Sequence, residues 1–510
     1  MKTNGLLSKL IFVPMGILCL LAILFSGILS GDSPETVAVE ILKMSGIKGG
    51  LIIHFPCGDG TLTEALRVGE SYIVQGLDPS MDNVQEARQH ILSKREYGAI
   101  SVDHLKGSGL PYEDSLVNLI VSEDPGGIST DEMMRVLVPN GVALIKGALG
   151  WEKTVKPVPA GMDEWNQYLY NAAGTAVSHD EIISPIKHYQ WVGSPRWGRH
   201  HDTTASLSAM VSANGRIFYV LDEGPKESIQ LPAENYLVAR DAYNGTVLWK
   251  RLIPQWQEHL FALKSGPAYL PRRLAAVGDR VYVTVGINAA LSELDAATGG
   301  ILRTFPQTAM TSEVVYSEGT LFLVVGRPEK NKDLYVPKHT YVWDAAEYAR
   351  TGWAWGMQQA VIMALDASEG KALWTKQYAV APLSLSADSS SVYFFDGNRI
   401  VCMNRHTGEE KWRSDPLFER PINTAYAPRL VIYEDVVLFS RDRGQLIGLS
   451  ALNGERLWQA EQPGSGHYSP EDIFVINGVV YAGATANIQD AIRAKRLPST
   501  FFRPGRALSL

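Results

Sequence analysis

The chain has 510 residues, 45% of them hydrophobic and 20% charged, with a formal net charge of −7 and a pI near 5.9. This length exceeds one ordinary domain, and the apolar content excludes a disordered chain. The acidic balance lacks the basic footprint of a nucleic-acid-binding domain, and three scattered cysteines, Cys19, Cys57 and Cys402, exclude a disulfide framework or a CxxC zinc site.

The chain opens on a targeting segment. Lys2 and Lys9 precede an uncharged run from Leu10 to Gly31, with small residues at Ser26, Gly27 and Ser30. This is the pattern of a secretory signal, and at about 20 residues it is also long enough for a membrane anchor. Residues 1–31 are therefore expected to be a signal peptide or an anchor. The bulk of the chain is expected in the periplasm or cell envelope.

Residues 36–150 alternate strands with helices. LIIHFPCGDGTLTEAL (51–66) reads as a buried strand, a Gly-rich turn and a helix start, a turn that lets backbone donors approach a ligand. A second strand, 72–80, ends at Asp78, which lies 20 residues after Gly58, the spacing of an acid that binds ribose hydroxyls. A helix (81–94), a strand (99–103), a fourth strand (116–123), a short helix (130–137) and a fifth strand (141–147) follow. This order predicts a parallel, doubly wound, Rossmann-like sheet.

Four ordered motifs, CGDGTLTEAL, GLDPS…EAR, SVDHLKGSGLPYEDSLVNLIVSED and EMMRVLVPNGVALI, make this segment of about 100 residues resemble the class I S-adenosylmethionine-dependent methyltransferases. The resemblance implies a cofactor site at Cys57, Gly58, Asp59 and Gly60 for the methionine part, Asp78 for the ribose and Asp103 for the adenine. Departures from that family are His54 where an acid is usual, Pro56 for the first glycine of the turn, and Asn118 for the acid of the fourth strand. No closing β-hairpin is legible after the fifth strand. Glu123 and Asp124 are the best-placed bases, and a secreted domain has no obvious supply of the cofactor. Methyl transfer is therefore weighed as the alternative, not the leading reading.

Residues 151–204 read as a connector rich in Trp and Pro. It carries His179-Asp180 and RWGRHHD (196–202), where His200, His201 and Asp202 are the candidate metal ligands. Adjacent histidines on a strand point to opposite faces, so a hydrogen-bonded domain junction is the stronger expectation for this cluster.

From residue 205 onward one corner recurs: Asp, Asn or Ser, then Gly four residues on, then usually Trp four further. The copies are Asp241/Gly245/Trp249, Asp295/Gly299/Arg303, Asp366/Gly370/Trp374, Asn404/Gly408/Trp412 and Ser450/Gly454/Trp458. Each follows strand-like segments rich in Val, Ile, Phe and Tyr. The acid or amide bonds backbone N–H groups two residues on, and Gly supplies positive φ. The irregular spacing excludes a fixed-length solenoid and predicts propeller blades with variable loops. A long insertion, about 327–360, brings Trp343, Trp353 and Trp355 together in sequence, as a local mini-core or an aromatic cap.

The corner resembles the repeat of quinoprotein propellers, shared by pyrroloquinoline-quinone (PQQ) dehydrogenases and BamB-like proteins of outer-membrane assembly. With the signal and the methyltransferase-like domain, the whole resembles large secreted PQQ-like repeat proteins of planctomycete-type bacteria. The dehydrogenases carry an adjacent-cysteine disulfide over the quinone, which this chain lacks, and their calcium ligands match no position here. PQQ is accordingly not expected. The expected architecture is a multidomain α/β plus all-β chain, with five blades and part of a sixth over 205–510. The last copy, GRALSL (505–510), stops before its Gly and Trp, so the N-terminal part of a longer protein, or a truncated gene product, is expected. The expected role is a binding or scaffold module with a protein or glycan partner on the propeller face. Enzymatic alternatives are a methyltransferase first and a quinoprotein dehydrogenase second.

Overall fold

A computed structural model describes residues 33–183, 185, 187–195, 198, 206–227, 231–256, 269–326, 355–417, 428–441, 444–462, 473–482 and 507–509. Residues 1–31, with their expected signal or anchor, lie outside the described residues, as do His200, His201 and Asp202. No helix among the described residues is long and apolar enough to cross a membrane.

The first domain begins with α1 (Pro34–Ser45). Ser33 caps it by accepting from Thr36 N, Pro34 occupies the first turn, and Gly46 ends it in the left-handed region. The sheet follows as β1 (Gly50–His54), β2 (Tyr72–Asp78), β3 (Ile100–His104), β4 (Val117–Ser122), β5 (Leu137–Gly147) and β6 (Gly150–Val155). Its spatial order is β3-β2-β1-β4-β5-β6. All pairs are parallel except β5 with β6. Helices α2 (Thr61–Ala65), α3 (Met81–Ser93) and α4 (Thr130–Val136) connect the strands. Apolar clusters cover both faces, which is why β1 and β4 read as nearly continuous apolar runs.

The antiparallel β6 corrects one expectation. Residues 151–155, assigned to the connector, join Gly150 in an edge strand of the sheet, so the domain reaches Val155. Its GWEKTV sequence hides this: the strand is half-buried only at Trp151 and exposed elsewhere, as an edge strand is.

The rest of the described chain folds into small antiparallel sheets, each ordered by simple hairpins. The first comprises β7 (Leu207–Ala213), β8 (Arg216–Asp222), β9 (Asn235–Asp241) and β10 (Val247–Ile253). The second comprises β11 (Leu274–Val277), β12 (Arg280–Thr284), β13 (Leu291–Asp295) and β14 (Ile301–Thr304). The third has β15 (Thr311–Ser317), β16 (Thr320–Val325), β17 (Gln359–Asp366) and β18 (Ala372–Ala379). The fourth has β19 (Ser386–Ala387), β20 (Ser391–Phe395), β21 (Ile400–Asn404) and β22 (Glu410–Arg413). The fifth has β23 (Arg429–Tyr433), β24 (Val436–Arg441), β25 (Gly444–Ser450) and β26 (Arg456–Gln462). Three more strands, β27 (Ile473–Ile476), β28 (Val479–Ala482) and β29 (Ala507–Ser509), form a sixth sheet.

Period-two alternation explains the stacking. Leu321 and Leu323 of β16 point into a core shared by the second and third sheets, while Phe322 and Val324 point into the core shared by the third and fourth. The same alternation on β20 sends Phe394 one way and Tyr393 and Phe395 the other. The second to fifth sheets are thus apolar on both faces and sandwiched by their neighbours, as in a β-propeller.

The repeated corners seal these interfaces. Asp295 Oδ1 accepts from Ala297 N and Thr298 N, Asp366 Oδ1 from Ser368 N and Glu369 N, and Asn404 Oδ1 from His406 N and Thr407 N. Gly299 sits at φ 70° with the Trp249 indole against it; an added Cβ would lie 2.6 Å from that ring. The ring's Nε1 donates to Ala296 O at 2.9 Å. Trp374 does the same over Gly408, donating to Arg405 O, and Trp412 over Gly454, donating to Ala451 O. Gly299, Gly408 and Gly454 are therefore each covered by the outer-strand Trp of the sheet before. Arg303, the one non-Trp copy, lies against Gly370 and donates to Ser368 O at 2.9 Å.

Candidate functional site

The Gly-rich turn of the expected cofactor site lies at the carboxyl ends of β1 and β2. Cys57 N donates to Leu77 O at 2.9 Å, holding the turn against β2. Gly58 has φ 53° and open space where a Cβ would stand. Asp59 Oδ1 accepts from Thr61 N and Thr61 Oγ1, and these bonds hold its carboxyl below the usual range. Gly60, at φ 84°, leads into α2 and packs on Ala87.

Asp78 is turned inward. It is 1% exposed; Oδ2 accepts from Gly58 N at 2.9 Å, and Oδ1 accepts from Ser80 N at 2.8 Å and Asn83 Nδ2 at 3.1 Å. Its carboxylate ties the turn to the end of β2. Asp103 is exposed and paired with Arg88 at 3.3 Å. Glu123 pairs with Lys146 at 2.6 Å, and Asp124 Oδ1 accepts from Gly126 N. The buried Cys57 thiol is pushed up to about 12 by burial and by Asp78, so it is inert as a nucleophile.

His54 replaces the usual acid at the end of β1. It is 2% exposed, its Nδ1 lies 2.8 Å from Thr63 Oγ1, and its Nε2 has no hydrogen-bond partner. Burial pushes its pKa down to about 4, so it is neutral at physiological pH. The cleft has room at Gly58, but its ribose-type acid is buried and its first-strand carboxylate is absent. These residues depart from the expected cofactor set at His54, which is neutral, and at Asp78, whose carboxylate already accepts three hydrogen bonds.

The other end of the same sheet explains Asn118. At the start of β4, Asn118 Oδ1 accepts from Leu51 N at 2.8 Å and from Asn244 Nδ2 at 2.7 Å. Its Nδ2 donates to Asp241 Oδ2 at 2.6 Å. Asp241 and Asn244 belong to the first propeller corner, so an amide on β4 fastens the two domains together. Burial raises the Asp241 pKa against the pull of these bonds. Gly50, at φ 104°, must lack a side chain because a Cβ would collide with Asn118.

The connector is a structural thread. Ser212 N of β7 donates to Trp165 O, Ala276 N of β11 to Asn166 O, Ala387 N of β19 to Ala172 O and Ile432 N of β23 to Ala173 O. The Gln167 side chain bonds Tyr316 N and O of β15. Residues 165–173 thus touch the innermost strand of five successive sheets near its carboxyl end. His179 and Asp180 belong to the same junction: Asp163 Oδ2 accepts from His179 N, and Asp180 Oδ2 accepts from Asp163 N. Among the described residues no cluster of His, Cys, Asp and Glu is arranged to hold a metal. An open depression of about 740 Å³, solvent included, lies along this thread between Tyr170, Asn171, Tyr316, Glu318, Ala387 and Asp388.

At the opposite ends of the inner strands, Arg272 and Glu313 are both 1% exposed. Arg272 Nη1 donates to Leu385 O, and Glu313 Oε1 accepts from Leu383 N. Arg272 Nε and Nη2 and Glu313 Oε2 have no partner. Burial outweighs the attraction of Arg272 and raises the Glu313 pKa to about 7. No local motif announces this pair, because Arg272 lies in the turn before β11 and Glu313 in β15 of the next sheet.

The raised pKa gives a signed expectation. Between about pH 4.5 and 7 the folded state holds the Glu313 proton and the unfolded state does not. Glu313's contribution is full below pH 4.5 and is lost as pH rises through 7. His54 acts in the opposite sense: its contribution is full above 6.5 and is lost as pH falls through 4. Glu313→Gln is therefore expected to gain stability over the unaltered protein from pH 5 to 8 by about 1–3 kcal/mol. Urea unfolding at several pH values reads this; an unchanged difference between the two proteins across that range contradicts it.

The described fold is a run of antiparallel sheets stacked as in a β-propeller, preceded by an α/β domain with a largely parallel sheet. Residues 358–496 match the family model described as outer membrane protein assembly factor BamB, so the chain carries a PQQ-like, BamB-like repeat region. Among solved structures, BamB from Moraxella catarrhalis is similar at 14% identity and TM-score 0.36, over 58% of this chain and 72% of that one. Quinohemoprotein alcohol dehydrogenase from Comamonas testosteroni is similar at 13% identity and TM-score 0.40, over 63% and 58%. A protein assigned to the S-adenosyl-L-methionine-dependent methyltransferases from Methanococcus maripaludis is similar at 22% identity and TM-score 0.21, over 28% and 68%. No curated protein sequence matches the chain.

Proposed function

We propose that this chain is an extracytoplasmic binding or scaffold protein of the cell envelope. In this reading the propeller engages a protein partner, and the methyltransferase-like domain serves as a rigid wall without catalytic work. The observation that carries the reading is Asp78. Its carboxylate is spent on Gly58, Ser80 and Asn83 and is not presented to the cleft. The docking of that domain through Asn118 and Asp241 supports a structural role. The match of residues 358–496 to an outer membrane assembly factor supports a protein as the partner.

The depression along the connector is the expected partner surface. A photo-crosslinking residue at Tyr170 is expected to capture an envelope protein in cells, whereas one at exposed Lys371 is not. Equal capture from both positions, or none from Tyr170, would overturn this assignment. Methyl transfer is a second reading, favoured by the open space over Gly58 and the unpartnered His54 Nε2.

A further inference from the structure

Three arginines are buried where innermost strands begin, with the carboxyl group of Glu313 beside them. Arg272 and Arg273 close the turn before β11, Arg429 opens β23, and Glu313 lies near the start of β15. Arg273 is provided for: Nε donates to Thr284 Oγ1 at 2.8 Å, Nη2 donates to Gly286 O at 2.9 Å, and the guanidinium lies over the Trp256 ring. Arg429 Nη2 donates to Gly174 O and Ile473 O, both at 3.1 Å. Arg272 is different. Its Nη1 donates to Leu385 O at 2.8 Å, while Nε and Nη2 have no partner among the described residues.

The charge of Arg272 is not matched by a bonded carboxylate. Glu313 acts on it through space, but the two side chains share no hydrogen bond: Glu313 Oε1 accepts from Leu383 N, and Oε2 has no partner among the described residues. Burial pushes the Glu313 pKa up to about 7, so in mildly acidic solution the carboxyl keeps a proton that Oε2 can donate. The connector borders the same guanidinium. Gly174 sits at φ 71°, and a Cβ added there would stand 3.8 Å from both Arg272 Nη2 and Ser386 Oγ. Next in the chain, the buried Thr175 hydroxyl also has no partner among the described residues. Buried polar groups without a protein partner call for a bound water or ion. Water would satisfy the N–H groups of Arg272 and leave its charge, and a buried charge without a counter-charge is the costlier fault.

We propose that a compact monovalent anion of chloride's size binds between Arg272 and Glu313, taking hydrogen bonds from Arg272 Nε and Nη2 and facing Glu313 Oε2. Both side chains are buried, so the site selects against large anions. The ion is a structural ligand. It neutralises Arg272 and ties the turn before β11 to β15 of the next sheet, beside the connector at Gly174.

Thermal unfolding of the full chain at pH 6 tests this, with chloride replacing gluconate at constant ionic strength. The unaltered protein is expected to gain about 5 °C in Tm along a saturating curve, as a ligand specific to the folded state requires. Arg272→Met, which keeps the apolar stem and removes the charge, is expected to lose the saturating gain. Glu313→Gln, whose amide donates where the carboxyl did, is expected to keep it. If Arg272→Met fails to fold, bromide-soaked crystals of the unaltered protein replace that arm, with an anomalous peak expected beside Arg272 Nε and Nη2. A Tm that does not saturate with chloride would overturn the proposal and leave water at the site. So would a saturating gain that Arg272→Met retains or Glu313→Gln loses, or crystals without the bromide peak.

Discussion

Trp412→Ala is expected to cost the propeller about 3–5 kcal/mol. The indole is 9% exposed and fills the seam between the fourth and fifth sheets, against Tyr393 and over Gly454. Its removal empties that volume and leaves Ala451 O without its donor. The seam cannot collapse easily, because Gly454 is held at φ 77° by its corner and has no side chain to move inward. Arg303→Ala is the internal control. Arg303 occupies the equivalent place but is partly exposed, bonds Ser368 O and Glu293 and lies over the Phe305 ring, so its loss is expected to cost about 1 kcal/mol. Denaturant midpoints of the two variants read the difference directly. Equal losses would mean that the repeated Trp does not lock adjacent sheets.

The second large effect is at Asn118. Asn118→Ala leaves Leu51 N without its acceptor and the Asp241 carboxylate without its closest donor, at an expected cost of about 2–4 kcal/mol. Asn118→Asp is expected to be worse at neutral pH. It restores the acid usual in the resembling family but places a second carboxylate where Nδ2 now sits, 2.6 Å from Asp241 Oδ2. Two carboxylates that close cannot both ionise. The Asp variant is therefore expected to recover relative to the Ala variant as pH falls from 7 to 4, when the pair shares a proton. Thermal unfolding of both variants across that range checks the sign. An Asp variant as stable as the unaltered protein at pH 7 would contradict the account of this junction.

These two sites differ in how well the sequence announces them. The corners were legible because every contact they make uses a side chain at a fixed spacing: Asp295 reaches two and three residues ahead, and Gly299 and Trp249 differ only by one repeat. The α/β domain was legible for the same reason, since its strands and helices match the apolar periods closely. Asn118 read only as a departure, because the partner that explains it is 123 residues away. The connector's role was hidden more deeply. Trp165, Asn166, Ala172 and Ala173 reach the inner strands through backbone carbonyls, which leave no mark on residue identity. Asp78 was legible as a position but not as a state: spacing places it beside the turn, while only geometry shows that its oxygens are already taken. Arg272 and Glu313 sit in unrelated local contexts, and the stacking of sheets brings their charges within electrostatic reach.

The central claim is that the methyltransferase-like domain keeps its fold without its chemistry. Isothermal titration of the purified full-length chain with S-adenosylmethionine tests it most directly, with Asp78→Asn as a companion. The account predicts no saturable heat from the unaltered protein, and a loss of stability in the variant from weakening the bonds to Gly58, Ser80 and Asn83. Saturable binding that Asp78→Asn abolishes in a still-folded protein, followed by methyl transfer to any acceptor, would contradict it.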